Sequence, residues 1–299
     1  MNLNELQTKG GTVSYSAGSS KLDPLSFRIA ENSSGKIGAA VTLFPTLGKY
    51  FQKTPVLINC YPATLGSFES VIYLDTYLRP VNFSRGLMLA ETLNTSCIVL
   101  GQPLVVLDLL MQHCAMETSL PVPKQLLFAL GGYYAPASME GAFTQLLKPS
   151  VTEHDILHAY GMAEVDFGCL LGTTRNAEGK ILYKIASGEV QVELKNGQLF
   201  LGKTGETPLH NTDDNAVWDK DSLVISPGNK RLNQEILEHL ESWNFPKWER
   251  QTGHVARVNG DLVFQLREGL EPNNNSEMEF FNFSRSFKMT WAGKPSWSI

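Results

Sequence analysis

Apolar strands alternate with helical segments between residues 98 and 160, and this alternation leaves the chain few possible architectures. Ser138 is a plausible N-cap for one of the helices. The predicted elements, in order, are a buried strand from Ile98, a helix from a Gly-Gln-Pro turn to about Glu117, a strand at 125–130, a helix at 138–147 and a strand at 154–160. Buried strands that alternate with helices are typical of a mostly parallel sheet covered on both faces.

From Lys180 onward the pattern changes to strands joined by tight turns. Asn196-Gly197 separates the apolar segments 190–194 and 199–201, and Asn259-Gly260 occupies the same place in a second pair of segments. Because Asn-Gly suits the left-handed type I′ turn, both sites predict β-hairpins.

The tail of the chain differs from the part before it. Asn233 is the predicted cap of an amphipathic helix at 233–243, and a hairpin follows it. We therefore predict an α/β fold with a mostly parallel sheet covered by helices, then a β-hairpin region and a small α+β C-terminal tail. The expected domains are a core at 1–228 and a C-terminal subdomain at 229–299.

Composition narrows the class of protein. The 299 residues carry a net charge of -5 and show no basic stripe, so we expect no nucleic-acid partner. The four cysteines have no CxxC spacing, which favours buried reduced thiols over a metal site or disulfides. We expect no signal peptide and no membrane span, because the longest apolar stretch, at 97–110, is interrupted. These features together predict a cytoplasmic protein.

Two segments have residue types that suit a nucleotide. Ser16, Gly18, Ser19 and Ser20 form a loop of small hydroxylated residues, and such loops bring backbone N–H groups and hydroxyls to phosphate oxygens. A solvated serine-rich turn is the alternative. The Gly131-Gly132 pair at a strand end lets the backbone approach a flat ligand, with Tyr133 or Tyr134 stacking on a base. A tight turn with core tyrosines explains the same residues.

Two further segments carry carboxylates at predicted strand ends. In Tyr160-Gly-Met-Ala-Glu164, Gly161 permits a sharp turn, and Glu164 is suited to hold a Mg²⁺ that bridges triphosphate oxygens. In Thr212-Asp213-Asp214, a carboxylate is suited to accept both ribose hydroxyls. The alternatives are a plain surface glutamate and an ordinary acidic turn.

The order of these four segments resembles the adenylate-forming superfamily, which comprises AMP-binding acyl- and aryl-CoA synthetases, luciferases and peptide-synthetase adenylation domains. Tyr160-Gly-Met-Ala-Glu164 is close to the family's Tyr-Gly-x-Thr-Glu. Residues 211–225 are similar to its Arg-Thr-Gly-Asp segment, and Gly131-Gly132 with Ala135-Pro136 is similar to its adenine-binding turn. The resemblance extends from about residue 14 to residue 230.

The resemblance implies roles for individual residues. Glu164 would hold Mg²⁺, Asp214 would bind the ribose hydroxyls, and Gly161 with Met162 would face an acyl or aryl pocket. The nucleotide would contact Ser16, Gly18, Ser19 and Ser20 along its triphosphate, and Gly132, Tyr133 and Tyr160 around its adenine.

The sequence departs from the family's pattern at several of these places. Lys21-Leu-Asp-Pro24 replaces Gly-x-Pro-Lys in the phosphate loop, and Ala163 removes a hydroxyl that touches the α-phosphate. Asp213 stands where the family has glycine. Gly228-Asn-Lys-Arg231 replaces Gly-Arg-x-Asp, which leaves Lys230 or Arg231 as substitutes for the ribose-binding arginine. The chain also starts near the phosphate loop and has a short tail, in which Lys294 is a faint match to the family's catalytic lysine.

The resemblance implies an AMP-forming acid ligase that uses ATP and Mg²⁺, with coenzyme A among the acceptors. It would convert an aryl or medium acyl carboxylic acid to an acyl-adenylate with release of pyrophosphate, then transfer the acyl group to coenzyme A, a carrier protein or an amine. A catalytically inactive relative that binds a ligand or partner is the alternative. A third possibility is one half of a split enzyme, completed by a neighbouring subunit.

Overall fold

The computed structural model describes twelve stretches of the chain. They are residues 13–15, 27–29, 34–61, 70–114, 121–132, 134–147, 153–162, 164–226, 251–258, 261–266, 277–282 and 285–290.

The elements before residue 163 include the stretch from 97 to 162, in which strands and helices alternate as predicted. They are β1 (Val13–Tyr15), β2 (Phe27–Ile29), α1 (Ser34–Leu43), a 3-10 helix (Pro45–Phe51), β3 (Val56–Asn59), β4 (Ile72–Asp75), α2 (Pro80–Thr92), β5 (Cys97–Gly101), α3 (Pro103–Cys114), β6 (Gln125–Gly131), α4 (Ala137–Leu147) and β7 (Glu153–Met162).

The elements after residue 163 are all strands within the described residues. They are β8 (Asp166–Arg175), β9 (Ile181–Ile185), β10 (Val190–Lys195), β11 (Gln198–Lys203), β12 (His210–Asp219), β13 (Ser222–Ser226), β14 (Gln251–Val258), β15 (Asp261–Leu266), β16 (Glu277–Asn282) and β17 (Arg285–Thr290).

Eleven strands form one sheet in the order β10-β11-β12-β13-β9-β8-β7-β6-β5-β3-β4. The pairs from β4 to β7 are parallel, and the pairs from β7 to β10 are antiparallel. The α/β class is confirmed, but the sheet is mixed and not mostly parallel. The reason is that short turns join β7 to β8, β8 to β9, β10 to β11 and β12 to β13, and a short turn between paired strands makes them antiparallel.

Helices cover both faces of the parallel strands. On one face, Phe83 of α2, Leu110 of α3 and Phe143 of α4 pack with Val56 and Phe128 of the sheet. The Phe128 and Phe143 ring centroids are 4.6 Å apart.

The opposite face of the parallel strands is covered by α1 and the 3-10 helix. There, Leu47 and Tyr50 pack with Leu57, Ile98 and Leu127. Because neighbouring residues of one strand, such as Val56 and Leu57, face opposite sides of the sheet, the central strands β5 and β6 are almost continuously apolar, as the sequence indicated.

Several local predictions can be compared with the structure. Asn196 and Gly197 have φ values of 54° and 80°, so the predicted left-handed hairpin turn is confirmed. Strands β14 and β15 pair in antiparallel fashion, which confirms the second hairpin. Helix α4 begins at Ala137, so the predicted cap Ser138 is wrong and lies inside the first turn.

The described C-terminal strands form a separate four-stranded sheet in the order β15-β14-β16-β17. The predicted helix at 233–243 lies outside the described residues, so the α+β tail and the boundary near residue 228 stay predictions. None of the described helices has the length and apolar character needed to cross a membrane.

The cysteines are free thiols, as predicted. Cys60, Cys97 and Cys169 are buried, whereas Cys114 at the end of α3 is exposed, so the expectation of burial was wrong for that residue. Burial raises the pKa of the Cys60 thiol to about 12, which keeps it protonated at neutral pH.

Candidate functional site

The carboxyl ends of the parallel strands bring two of the predicted segments together. Gly131 of β6 lies opposite Ala159 of β7, so the diglycine turn is directly beside Tyr160. Gly101 of β5 lies opposite Leu130, which places the end of β5 on the other side of the same turn. Ligands of open α/β sheets bind outside this edge of the strands.

Tyr160 and Asp214 are joined by a short hydrogen bond. The Tyr160 hydroxyl donates to Asp214 Oδ2 at 2.6 Å, across 54 residues of sequence. Strand β12 is four junctions away from β7 in the sheet, about 19 Å if the sheet were flat. The antiparallel half must therefore curl until β12 faces the end of β7.

The surroundings of Tyr160 keep its hydroxyl protonated. Burial, together with the neighbouring Asp214 carboxylate, raises the pKa of Tyr160 well above its usual value. Its ring also packs edge-on against Tyr183, with centroids 6.0 Å apart. Tyr160 is thus a fixed donor, and it holds one oxygen of Asp214 in a defined position.

A local irregularity in β12 presents Asp214 to Tyr160. Between the pairs Gln198↔Asn215 and Phe200↔Asn211, β12 has two more residues than β11. Asp213 has φ 60°, a left-handed conformation that aspartate tolerates better than most residues. A glycine would adopt this conformation without strain.

Hydrogen bonds to neighbouring side chains hold the same bulge. The Asp213 N–H donates to Asn211 Oδ1 at 3.0 Å, and the Asp214 N–H donates to Thr212 Oγ1 at 3.2 Å. The Thr212 hydroxyl donates in turn to the Leu199 carbonyl at 2.9 Å. The Thr-Asp-Asp segment is therefore an ordered bulge whose side chains cap its own backbone.

The two glycines of the diglycine turn are needed for different reasons. A Cβ on Gly131 would lie 2.9 Å from both the Ala159 carbonyl and the Tyr61 hydroxyl. Gly132 has φ 97° and is exposed, so it offers a flat backbone surface with no side chain. Gly131 matches the packing interpretation, and the φ of Gly132 fits a tight turn whose exposed backbone leaves room for a flat ligand.

An ion-paired cluster holds the chain that follows the diglycine turn. Arg175 Nε donates to Glu140 Oε1 at 2.8 Å, and its terminal nitrogens donate to the Tyr134 hydroxyl at 2.9 Å and to the Ala135 carbonyl at 2.5 Å. His158 Nε2 lies 2.8 Å from the same Glu140 oxygen. These four side chains, Arg175, Glu140, His158 and Tyr134, are called the Arg175 cluster below.

Charge and burial act against each other within the Arg175 cluster. Burial lowers the pKa of His158, which favours the neutral form of its imidazole. Burial alone would raise the pKa of Glu140, but hydrogen bonds from His158 and Arg175 outweigh it and hold that pKa below its usual value. Glu140 is therefore an anion paired chiefly with Arg175, and α4 is anchored to β7 and β8.

Glu164 lies in the exposed turn between β7 and β8. Among the described residues, no group of three or more His, Cys, Asp and Glu side chains could hold a metal ion. A Mg²⁺ held by Glu164 would need phosphate oxygens and water as its other ligands, which is the usual arrangement for Mg²⁺ in nucleotide sites. The exposed carboxylate fits that role.

The structure thus brings Gly132, Tyr160, Gly161 and Asp214 to one end of the sheet. Glu164 lies in the described turn between β7 and β8. The remaining predicted site residues lie outside the described residues; they are Ser16, Gly18, Ser19, Ser20, Tyr133 and Lys230. Sequence reasoning missed the Arg175 cluster, because its members are spread over 42 positions without a recurring pattern. The available signal was a lone arginine at the end of an apolar strand.

A polar cleft of about 320 Å³ lies at the opposite edge of the sheet. Its lining includes Ser96, Gln125 and Glu153, which stand at the amino ends of β5, β6 and β7. Lys49 bonds to Glu153 there at 2.6 Å and to Asp155 at 2.8 Å. The cleft shares no residue with the candidate site.

No family model and no curated protein matches the chain. Solved structures do. An E. coli MenE variant with bound OSB-AMS is 11% identical, with 85% of this chain and 50% of that chain covered and a TM-score of 0.42. An AMP-forming acyl-CoA synthetase/AMP-acid ligase II-like protein from Dyadobacter fermentans is 14% identical, with 88% of this chain and 66% of that chain covered and a TM-score of 0.44. A fatty acid AMP ligase from Legionella pneumophila is 10% identical, with 85% of this chain and 58% of that chain covered and a TM-score of 0.45.

The similar solved structures are AMP-forming acyl- or aryl-CoA ligases and adenylation domains. These structures belong to the superfamily that the motifs of this chain resemble. The chain spans about half to two thirds of the length of the three structures above. At these TM-scores and identities, the similarity assigns neither a substrate nor a reaction to the chain.

Proposed function

We propose that this chain, whose motifs resemble those of the adenylate-forming superfamily, binds ATP with Mg²⁺ and activates a carboxylic acid. The acid is an aryl or medium acyl acid, and the product is an acyl-adenylate. One carboxylate oxygen forms a bond to the α-phosphorus while the bond to pyrophosphate breaks. The acyl group then passes to coenzyme A, a carrier protein or an amine.

The contact between Tyr160 and Asp214 is the observation that carries the proposal. Two segments chosen from sequence for a nucleotide meet there at 2.6 Å, and the diglycine turn adjoins them through β6. Asp214 Oδ2 accepts from Tyr160, and a carboxylate, with two acceptor oxygens, is the side chain suited to accept hydrogen bonds from both ribose hydroxyls. The exposed backbone of Gly132 offers a surface for the base.

The proposed division of roles follows from charge. Asp214 orients the ribose, Tyr160 and Gly132 border the adenine, and Glu164 shares Mg²⁺ with the phosphates. Adenylation adds negative charge at the α-phosphate, and cations stabilise that charge best. Lys230 is the proposed protein cation, in place of the arginine that the family uses.

Pyrophosphate exchange into ATP tests this proposal with a panel of aryl and acyl acids. We expect acid-dependent exchange in the wild type and a fall of about 10² or more for Asp214→Asn or Glu164→Ala. The matched control is Glu178→Ala, since Glu178 is an exposed carboxylate in the turn after β8. Measurable ATP binding with no exchange for any acid would overturn the catalytic part.

An inactive nucleotide- or ligand-binding protein is the second candidate. Arg175, the basic side chain that contacts the segment after the diglycine turn, is committed to Glu140 and to backbone carbonyls, so it is not available to a phosphate. Calorimetry separates the two candidates. Tight Mg²⁺-dependent ATP binding that Glu164→Ala abolishes, together with exchange, supports the enzyme, whereas ligand binding without nucleotide supports the alternative.

A further inference from the structure

The large apolar side chains that the structure exposes are concentrated around α2. Of the seven among the described residues, five lie between positions 77 and 93, and the other two are in β12. The five are Tyr77, Leu78, Val81, Met88 and Leu93. Single exposed apolar residues are normal on a protein surface, whereas a concentration of them marks an interaction site.

Helix α2 has one buried face and one exposed face. Phe83 and Leu87 are fully buried in the core that α2 forms with the sheet and α3. On the outer side, Val81, Arg85 and Met88 are exposed and follow one another at intervals of four and three residues. This is the spacing at which one helix packs against another. The outer side of α2 is therefore patterned to receive a second helix.

The loop before α2 holds Tyr77 rigidly in solvent. Tyr77 and Leu78 have φ values of 49° and 57°, left-handed conformations that bulky residues rarely adopt. Thr76 fixes this loop, because its N–H donates to the Asn59 carbonyl at 3.0 Å and its hydroxyl oxygen accepts the Leu78 N–H at 3.2 Å. Tyr77 is 75% exposed. An aromatic residue on a fixed backbone loses little conformational entropy on binding, so Tyr77 is suited to anchor a partner.

Two arginines beside these apolar residues have no paired carboxylate. Arg79, directly before α2, and Arg85 are exposed, and no carboxylate among the described residues forms an ion pair with either. Tyrosine, methionine and arginine are enriched in interfaces between proteins. Because the whole chain has a net charge of -5, these cations differ in sign from the protein as a whole, and a partner that covers them has to supply carboxylates.

We propose that the α2 face, which consists of Tyr77, Val81, Arg85 and Met88, binds an amphipathic helix of a partner protein whose apolar side includes a carboxylate. The carboxylate pairs with Arg85, and apolar side chains of the partner cover Val81 and Met88. A second copy of this chain fits less well. A symmetric dimer through the α2 face would bring the same arginines into one interface, and the face itself offers them no carboxylate.

Two stapled helical peptides of about three heptads test this proposal. Both have leucines along one side, and in the middle of that side one has a glutamate and the other a lysine. We expect calorimetry to show that the wild type binds the glutamate peptide at least about tenfold more tightly, because only this peptide pairs with Arg85. Arg85→Glu should reverse the preference. The control Lys203→Glu, with the same charge change at an exposed lysine of β11, should leave it unchanged.

Tyr77→Ser tests the anchor. Removal of the ring should raise the Kd for the glutamate peptide about tenfold. The thermal unfolding midpoint should stay the same, because Tyr77 is exposed and contributes little to the core. Val217→Ser, at an exposed apolar residue of β12, is the control and should not change the Kd.

Three outcomes would overturn the proposal. The first is that the wild type binds both peptides equally or binds neither. The second is a dimer of the peptide-free protein, detected by light scattering, that Tyr77→Ser dissociates, because a second copy would then cover the α2 face. The third is binding to vesicles that contain an anionic phospholipid, lost in Tyr77→Ser, which would place the face on a membrane.

Discussion

Individual backbone conformations at the candidate site restrict which residues can occupy it. Gly132 at φ 97° and Asp213 at φ 60° both lie in the left-handed region, and they flank the Tyr160–Asp214 contact. Left-handed residues that are not forced by a hairpin turn concentrate at functional sites. Asp213 is tolerated because a short polar side chain can bond locally, whereas Gly132 has no such substitute.

Replacing Gly132 with alanine should therefore destabilise the protein, although residue 132 is exposed to solvent. A Cβ strains the left-handed backbone, and the expected loss is about 1 kcal/mol or more in the free energy of unfolding. The control is Gly141→Ala in α4, where nothing lies within 4 Å of the new Cβ and the helix should gain up to about 1 kcal/mol. Urea unfolding measures both, and equal effects of the two substitutions would contradict the argument.

At the level of elements, the Arg175 cluster ties α4, β7 and β8 together beneath the diglycine turn. Arg175 and Glu140 have side chains that are only 12% and 31% exposed, so neither charge is free to regain full hydration. A buried ion pair contributes little compared with apolar packing, but breaking it leaves an uncompensated charge. The cluster should therefore set both the position of the turn and the response to acid.

The stability of the protein should fall as the pH drops below about 6.5. His158 has a folded-state pKa below its unfolded value near 6.5, so its contribution is present above that pH and is lost on acidification through the folded pKa. Glu140, which faces it, also has a lowered pKa and adds a loss in the same direction at lower pH. Arg175 stays charged over this pH range, so it does not contribute to the change of stability with pH.

His158→Gln keeps a hydrogen-bond donor for Glu140 and removes the titration. We expect the free energy of unfolding of this variant to fall less on acidification than that of the wild type. Urea titrations at pH 7.5, 6.5 and 5.5, about one pH unit apart, span the histidine range and measure this difference. The exposed His210→Gln is the control and should show the wild-type slope. If the free energy of unfolding of His158→Gln falls as much between about pH 7.5 and 5.5 as that of the wild type, His158 is not the titrating group.

Elements of this fold could be predicted where the local sequence pattern suits one kind of structure only. The strands at 98 and 125 are apolar on both faces. Asn196-Gly197 fixes a hairpin. Both features could therefore be predicted from the sequence alone. The Arg175 cluster could not be predicted, because its contacts depend on which strand ends become neighbours. The antiparallel majority of the sheet was missed for the same reason, since strand direction follows from connections and not from composition.

At the scale of the whole molecule, the sheet has two candidate edges for a ligand. One is the carboxyl end of β5, β6 and β7, where the curled antiparallel half brings Asp214 to Tyr160. The other is the polar cleft at the amino ends, lined by Lys49 and Glu153 among others. Lys49 there is paired with Glu153 and Asp155, so its charge is already matched.

Amide hydrogen exchange with and without ATP and Mg²⁺ should distinguish the two edges. Three segments that are distant in sequence, 130–136, 159–164 and 211–215, should gain protection together, because one ligand orders all of them at the carboxyl end. Segments 49–53, 94–96 and 124–125 of the polar cleft should not change. Asp214→Asn should reduce the protection of all three responding segments at once, since the ribose contact is shared. Protection confined to the polar cleft would move the ligand to the other edge and remove the basis for the Tyr160–Asp214 site.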